Sequence, residues 1–420
     1  MKSPNVPHVA PHSSHPVVIV GAGLAGLACA VTLRNAGIHA LLLESTDSVG
    51  GRVKTDWHDG FLLDHGFQVM LMNYPTAQKL LDYEALDLKR FYPGAMIRRQ
   101  KKWYLMADPQ RYPLDATRAL FAPIGTLTDK LRVAFKGRGG YDLSKHGEQL
   151  STLEALRADG FSERIIDCFF RPFLGGVFQE KDLSTSVQKL DFVMNHFSND
   201  DTAVPAKGMG EIPRQLASHL AGYQFRFNTP VISIEGQCLR LADGETIEAE
   251  SIVIATDAHQ AARLLQRPGP PPAFHSSICL YFRASQVPSR RPILWLNAEP
   301  TGPINHLALM TNVSNDYAPP GEHLVAANVI DPQYAQAPDL EEQVRQQLRE
   351  WFGEITLDWK LLRKDHIARA IPAQNQIGEA DLHPRPGVYQ CGDHQGVASI
   401  ETALATGVQV AQRIIQKSNS

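Results

Sequence analysis

Four β-branched residues in a row, Val17, Val18, Ile19 and Val20, read as a short buried strand of the kind found in parallel sheets. Residues 24–36 then have helix-forming composition and stop at Gly37, a suitable C-cap. Residues 39–43 turn apolar again, so strand, glycine turn, helix and strand predict a βαβ unit. The texture changes over 75–200, where Pro75, Pro93, Pro109, Pro113 and Pro123 punctuate helical stretches. Within it, the polar, glycine-rich residues 136–149 predict an exposed loop. Strand texture returns at 229–234, 237–241 and 251–255, with Asp243-Gly244 as a turn. A stiff Arg-Pro-Gly-Pro-Pro-Pro connector follows at 267–272. Beyond it, residues 278–282, 293–297, 304–310 and 323–330 predict strands of a second sheet. Residues 339–352 predict a helix with Glu341, Glu342, Arg345, Arg349 and Glu350 on its wet face. A last strand is expected at 387–391 and a last helix at 399–416, and no internal repeat is visible.

Composition narrows the class. A length of 420 residues suggests two or three domains. With 43% hydrophobic residues the chain can fill a large core. Lys plus Arg number 41 against 44 Asp plus Glu, so no global charge draws it to nucleic acid. Five cysteines without a Cys-x-x-Cys pair exclude a disulfide scaffold and a standard zinc site, and no metal is expected. They suit a reducing, cytoplasmic setting. Residues 1–15, rich in Pro, Ser and His, read as a flexible tail. The uncharged run 17–33 superficially resembles a secretory signal, but Gly21, Gly23 and Gly26 interrupt it. Residues 114–136 mix Leu120, Phe121, Ile124, Leu127, Leu131 and Phe135 with Arg118, Lys130, Arg132 and Lys136. Such a basic amphipathic stretch is either a surface helix on its own core or a peripheral membrane contact. No Gly-x-Ser-x-Gly elbow, P-loop or His-Glu-x-x-His is present.

The strongest chemical motif is Gly21-Ala22-Gly23-Leu24-Ala25-Gly26, placed between strand and helix. Gly21 permits the tight turn, Gly23 lets a pyrophosphate approach the backbone, and Gly26 lets helix and strand pack closely. The helix N-terminus presents free N–H groups and a positive dipole end to the phosphates. Glu44 closes the second strand at the distance expected of a ribose-binding acid, which would also repel a 2′-phosphate.

The run from Glu44 through Gly50, Gly51 and Arg52 resembles the second fingerprint of FAD-dependent amine oxidases and phytoene-desaturase-like flavoproteins. Nicotinamide dehydrogenases lack this continuation. Phe61-Leu-Leu-Asp64-His65-Gly66-Phe67 resembles the family's strand-turn beside the isoalloxazine. Residues 204–210 and Thr229-Pro230-Val231 resemble the segment whose backbone meets the adenine, and Val253-Ile254-Ala255-Thr256-Asp257 the returning dinucleotide strand. Cys391-Gly392-Asp393, with Ser399, Ile400 and Ala403 opening the last helix, resembles the closing FAD motif. The resemblance implies FAD as cofactor, with Asp393 on its ribityl or pyrophosphate region. It places the last helix's N-terminus at the flavin N1–C2=O edge, where a positive dipole end favours hydride acceptance. Residues 171–178 resemble a substrate-cavity segment of protoporphyrinogen-oxidase-like and desaturase-like members, with Phe173 and Phe178 as candidate lining or as core.

Two departures matter. Amine oxidases usually carry an aromatic cage residue just before the closing Glu-x-Ala, and this chain has Ser399 there. His65 occupies a turn where many relatives have a small residue, which makes it either an acid/base candidate or a structural turn residue. A second glycine fingerprint for NADPH is missing, which points to oxygen or a quinone as electron acceptor. The expected fold is α/β (α+β mixed), a Rossmann-type FAD-binding domain interleaved with a substrate domain of mixed sheet plus helices. The first is expected from 16–75, 204–265 and 385–416, the second from 76–203 and 266–384. The expected reaction is hydride transfer from a small apolar, isoprenoid-like or carotenoid-like substrate to flavin N5, forming a double bond. Its alternatives are an amine oxidase producing peroxide and a redox-neutral FAD-dependent isomerase or cyclase.

Overall fold

A computed structural model describes residues 13–108, 111–120, 122–136, 147 and 149–418. The chain forms two compact units. One takes the residues up to Gly51, Pro213–Pro272 and those from Glu379 onward; the other takes Arg52–Ile212 and Ala273–Gly378. Residues 52–75 and 204–212, expected with the cofactor domain, therefore fall in the second unit. Most of the loop expected at 136–149 lies outside the described residues.

In the first unit the β-branched run becomes the strand Ser13–Val20, so residues 13–15 extend a strand and are not tail. It pairs in parallel with Leu41–Leu43 on one side and with Thr246–Ile254 on the other. Gln224–Arg226 adds to the Leu41–Leu43 edge and Val388–Gln390 to Thr246–Ile254, both parallel. Val231–Glu235 and Cys238–Leu241 form an antiparallel extension on the first half of Thr246–Ile254. One edge of that strand pairs in parallel with Ser13–Val20 along its length, and the other takes antiparallel Cys238–Leu241 at its start and parallel Val388–Gln390 at its end. The helices Leu24–Asn35 and Ile400–Ser418 pack closely, because a Cβ at Gly407 would come 2.2 Å from the carbonyl oxygen of Ala25. The suspected signal run is thus a strand, a glycine turn and a helix. Among the described residues no helix is long and apolar enough to cross a membrane.

The second unit is built on a seven-stranded sheet among the described residues. Its order is Lys360–Pro372, Phe274–Ala284, His323–Val329, His306–Leu309, Leu294–Asn297, Gly94–Arg99 and Lys102–Ala107. One face presents Ile278, Leu280, Phe282, Val325, Ala327 and Leu307 to Val344, Leu348 and Trp351 of the helix Leu340–Phe352. The last two strands lie in the stretch expected to be helical. Their connecting residues Gln100 and Lys101 both have left-handed backbone angles (φ 51° and 59°), a hairpin turn made without the usual Asn-Gly signal. A second core gathers Phe161, Ile165, Phe170, Leu174, Phe178 and Leu190. Here Glu163–Ile165 continues through a widened turn at Ile166–Phe170 into Arg171–Phe178. Pro172 cannot donate a helical hydrogen bond, and the widened turn absorbs that loss. Residues 114–136 form two short helices, Pro113–Leu120 and Leu127–Lys136. Leu114 and Leu127 are exposed and Ile124 is buried, while Lys130 donates to the Ala122 carbonyl at 2.6 Å and Arg132 to that of Gly160. Phe121 and the side chains of Arg118, Leu120, Phe135 and Lys136 lie outside the described residues.

Candidate functional site

In the first unit the carboxyl ends of the parallel strands converge on one glycine turn. Gly21 sits at φ +106°, where L side chains strain, and its N–H donates to the Leu43 carbonyl at 2.7 Å. A Cβ at Gly26 would fall 2.0 Å from the Gly21 oxygen, so helix and turn can meet only there as glycine. Gly23 is different: a Cβ on it would meet nothing within 4 Å, so space lies open above the helix N-terminus. No side chain caps this helix, and Leu24, Ala25 and Gly26 in its first turn bring no acid. Their N–H groups and the dipole suit an anion. The second glycine pair is folded onto the same turn: Gly50 N–H donates to the Ala22 carbonyl at 2.9 Å, and Gly51 adopts φ +61°.

Glu44 is buried beside this turn. One carboxylate oxygen accepts from the Ala22 N–H at 2.9 Å, and the other accepts from the Thr46 N–H and hydroxyl at 2.9 Å each. These bonds fix the orientation of the acid. Thr229 N–H donates to the Glu44 backbone carbonyl, which brings Val231, two residues on, into the same neighbourhood. From the other end of the sequence, Cys391 N–H donates to the Ile254 carbonyl and Gly392 N–H to the Thr406 hydroxyl at 3.0 Å. Asp393 follows, buried at the start of a single 3₁₀ turn. Ser399 caps the last helix, its hydroxyl accepting from Thr402 N–H at 3.0 Å, with Ile400 and Ala403 in the first turn.

The second unit holds the remaining candidates. Arg52 donates to the Ala370 carbonyl at 3.1 Å, so its guanidinium is tied to the long strand Lys360–Pro372. His65 Nε2 lies 2.9 Å from Asp56 Oδ2, and Arg363 reaches that same oxygen at 2.6 Å while pairing with Asp365 at 2.8 Å. Burial alone raises the Asp56 pKa, but the hydrogen bond from Arg363 and the charge and bond of His65 outweigh it, and the net shift is downward. Asp56 therefore stays ionised and orients His65. Asp64, its neighbour in the turn, is fully buried. It accepts from the Thr55 hydroxyl (2.5 Å), the Met209 N–H (3.0 Å) and the Tyr317 hydroxyl (2.8 Å). Burial pushes its carboxyl up to about 6 although these bonds pull the other way. Gly66 has φ +79°, and the Phe67 ring meets Phe91 and His306 edge-on. Phe173 is partly buried against Phe169 and Phe197, whereas Phe178 is a fully buried core residue with Lys189 over its ring. Phe178 therefore fills core and does not line a substrate surface.

The family decides what this geometry is for. Residues 24–415 match the profile of the flavin containing amine oxidoreductases. The chain belongs to that family. Its relatives include a coproporphyrinogen III oxidase from Propionibacterium freudenreichii, 24% identical over 78% of this chain and 76% of that one. A 15-cis-phytoene desaturase from Arabidopsis thaliana is 23% identical over 97% of this chain and 81% of its own. Protoporphyrinogen oxidase 2 of the same plant matches over 38% of this chain, and the chain spans only 32% of that relative. Among solved structures, a putative protoporphyrinogen oxidase from Exiguobacterium superposes with a TM-score of 0.75 at 20% identity, covering 97% of this chain and all of that one. The α/β fold is that of the FAD-binding amine oxidase-like proteins. The amine oxidoreductase fold thus accounts for both units, and the chain is an FAD-dependent oxidoreductase.

The first unit fits this cofactor on its own geometry: open space at Gly23, an uncapped helix start, a pinned acid and a buried Asp393. Sequence reasoning missed Asp56, Arg363 and Asp365, because Asp56 and Arg363 lie 307 positions apart. It also missed Tyr317 and His306. The one available hint was Asp64, already inside the quoted turn motif.

Proposed function

We propose that this oxidoreductase dehydrogenates an apolar, isoprenoid-like substrate, with FAD, when bound, supplying the two-electron acceptor. The observation that carries the reading is Ser399. Its hydroxyl is consumed in capping the last helix, so the position before that helix holds neither an aromatic ring nor a free polar group to guide an amine. The dipole of the last helix, Ile400–Ser418, directs its positive end to this position.

The proposed cofactor contacts are Gly21, Gly23, Leu24, Ala25, Gly26, Glu44, Gly50, Gly51, Val231, Gly392, Asp393, Ser399, Ile400 and Ala403, with Gly66 and Phe67 toward the ring. Arg52 is a weaker candidate for neutralising pyrophosphate, because it is already bonded to Ala370. His65 is the proposed proton-handling side chain. Asp56 fixes its Nε2, which leaves Nδ1 to take or give a proton. Phe173 is the proposed apolar substrate contact. Oxygen or a quinone is the proposed electron acceptor.

Anaerobic mixing of the yellow holoenzyme with terpenoids, amines and porphyrinogens tests the reading. Flavin bleaching by a terpenoid and by no amine is the expected outcome. Bleaching by amines alone would overturn it, as would a purified protein that binds no FAD.

A further inference from the structure

The sheet of the second unit carries a polar row on the face turned away from the helix Leu340–Phe352. His306, Asn328, Cys279 and Asp365 stand opposite one another on four neighbouring antiparallel strands. Directly paired residues of antiparallel strands project to the same face, so these side chains are neighbours. His306 is 2% exposed and Asn328 1%. Yet His306 Nε2 and both side-chain polar atoms of Asn328 have no hydrogen-bond partner among the described residues. Buried polar atoms are rarely left so, because each loses its water without recompense.

The protonation of this pair follows from its surroundings. Burial pushes the His306 pKa down to about 3, so the ring is neutral. Asn305 Nδ2 lies 3.0 Å from His306 Nδ1 and also donates to the Pro172 carbonyl at 3.0 Å. An amide nitrogen only donates, so Nδ1 accepts and the ring proton sits on Nε2. An N–H donor and a carboxamide therefore stand side by side, both uncharged. The Arg171–Phe178 helix comes against the imidazole because residue 176 is glycine; a Cβ there would lie 2.9 Å from Nδ1. Phe173 lies one turn earlier on that helix, and the Phe67 ring stands 5.1 Å from the imidazole. On the edge strand Lys360–Pro372, Arg363 is held by Asp56 and Asp365.

We propose that His306 and Asn328 form a neutral recognition pair for a carbonyl or hydroxyl oxygen carried by the otherwise apolar substrate, an inference that rests on the isoprenoid reading above. The pair offers a carboxylate no positive charge of its own, and burying a carboxylate beside neutral donors is unfavourable. A pure hydrocarbon leaves the pair unpaired. An oxygen that accepts from Nε2–H and exchanges a hydrogen bond with Asn328 satisfies both residues at once.

The test is equilibrium binding of tritium-labelled geranylgeraniol, geranylgeranial and the matching deoxygenated hydrocarbon to the FAD holoenzyme in one detergent. A site built to hydrogen-bond an oxygen strongly rejects the analogue that lacks it. Wild-type protein is expected to bind the alcohol and aldehyde at least ~tenfold tighter than the hydrocarbon. His306→Phe combined with Asn328→Val is expected to bring the three within about twofold while the flavin absorption spectrum is unchanged. Equal binding of all three by wild-type protein would overturn the pair and leave the isoprenoid reading standing. Retention of the preference by the double variant would likewise overturn the pair. Binding of none of the three would overturn the isoprenoid reading and the pair together. The wild-type comparison decides between these outcomes even where the variant does not fold.

Discussion

Asp64 links stability to pH in a way that one substitution exposes. Its carboxyl titrates near 6 in the folded protein against 3.8 for an ordinary aspartate. The difference of about two units corresponds to about 3 kcal/mol. Between those two values the native state holds a proton that the unfolded chain has released. Native protein then binds more protons, so stability falls as pH rises from about 4 to about 6. Asp64→Asn removes the titration and keeps the shape. The amide oxygen accepts from Met209 N–H and Thr55 O–H, and the amide nitrogen donates to the Tyr317 oxygen. The Asp64→Asn protein is therefore expected to gain on wild type by about 3 kcal/mol between about pH 4 and pH 7. Urea unfolding of the two holoenzymes, followed by tryptophan fluorescence at several pH values in that range, measures the difference. A difference flat to within about 0.5 kcal/mol, or one that shrinks as pH rises, would refute the assignment of the shift to burial of this carboxyl.

Three further outcomes are expected. Gly26→Ala places a methyl 2.0 Å from the Gly21 oxygen, and the forced shift of the turn is expected to cost about 1–3 kcal/mol in thermal or urea unfolding and to lower FAD content after purification. Glu44→Ala strands the buried Ala22 N–H, and FAD affinity measured by fluorescence titration is expected to fall at least ~tenfold, with no change in substrate range. Phe178→Ala is expected to destabilise by about 3–5 kcal/mol as a core cavity, whereas Phe173→Ala, at the fringe of the same cluster, is expected to lower stability less and to raise KM for a terpenoid more.

The residues differ in how openly the sequence declares them. The glycine turn at 21–26, Glu44 and the Gly50-Gly51 pair are legible because backbone chemistry needs those residue types at fixed local spacing. The strands at 278–282 and 323–330 are legible because central strands are mostly apolar. The hairpin of Gly94–Arg99 and Lys102–Ala107 is hidden, because Gln100 and Lys101 take left-handed angles held by the fold and not by their own preference. Asp56 and Arg363 meet only through tertiary folding, and His306 and Asn328 only through strand register, neither of which a local pattern encodes. Phe178 illustrates the converse: an aromatic in a suggestive motif whose burial makes it packing.

The close packing of Gly407 on Ala25 has a consequence for the order in which a nascent chain becomes functional. The strand Ser13–Val20 must wait for Thr246–Ile254 to emerge from the ribosome, and the helix Leu24–Asn35 must wait longer still, for Ile400–Ser418. Pairings of such long sequence separation form late. The helix Leu24–Asn35, buried on most sides in the folded protein, therefore waits without its partner while the residues between the two helices are made. The glycine turn gains this packing only once Ile400–Ser418 docks, so FAD incorporation is expected to follow synthesis of that helix, a point of demand for chaperones.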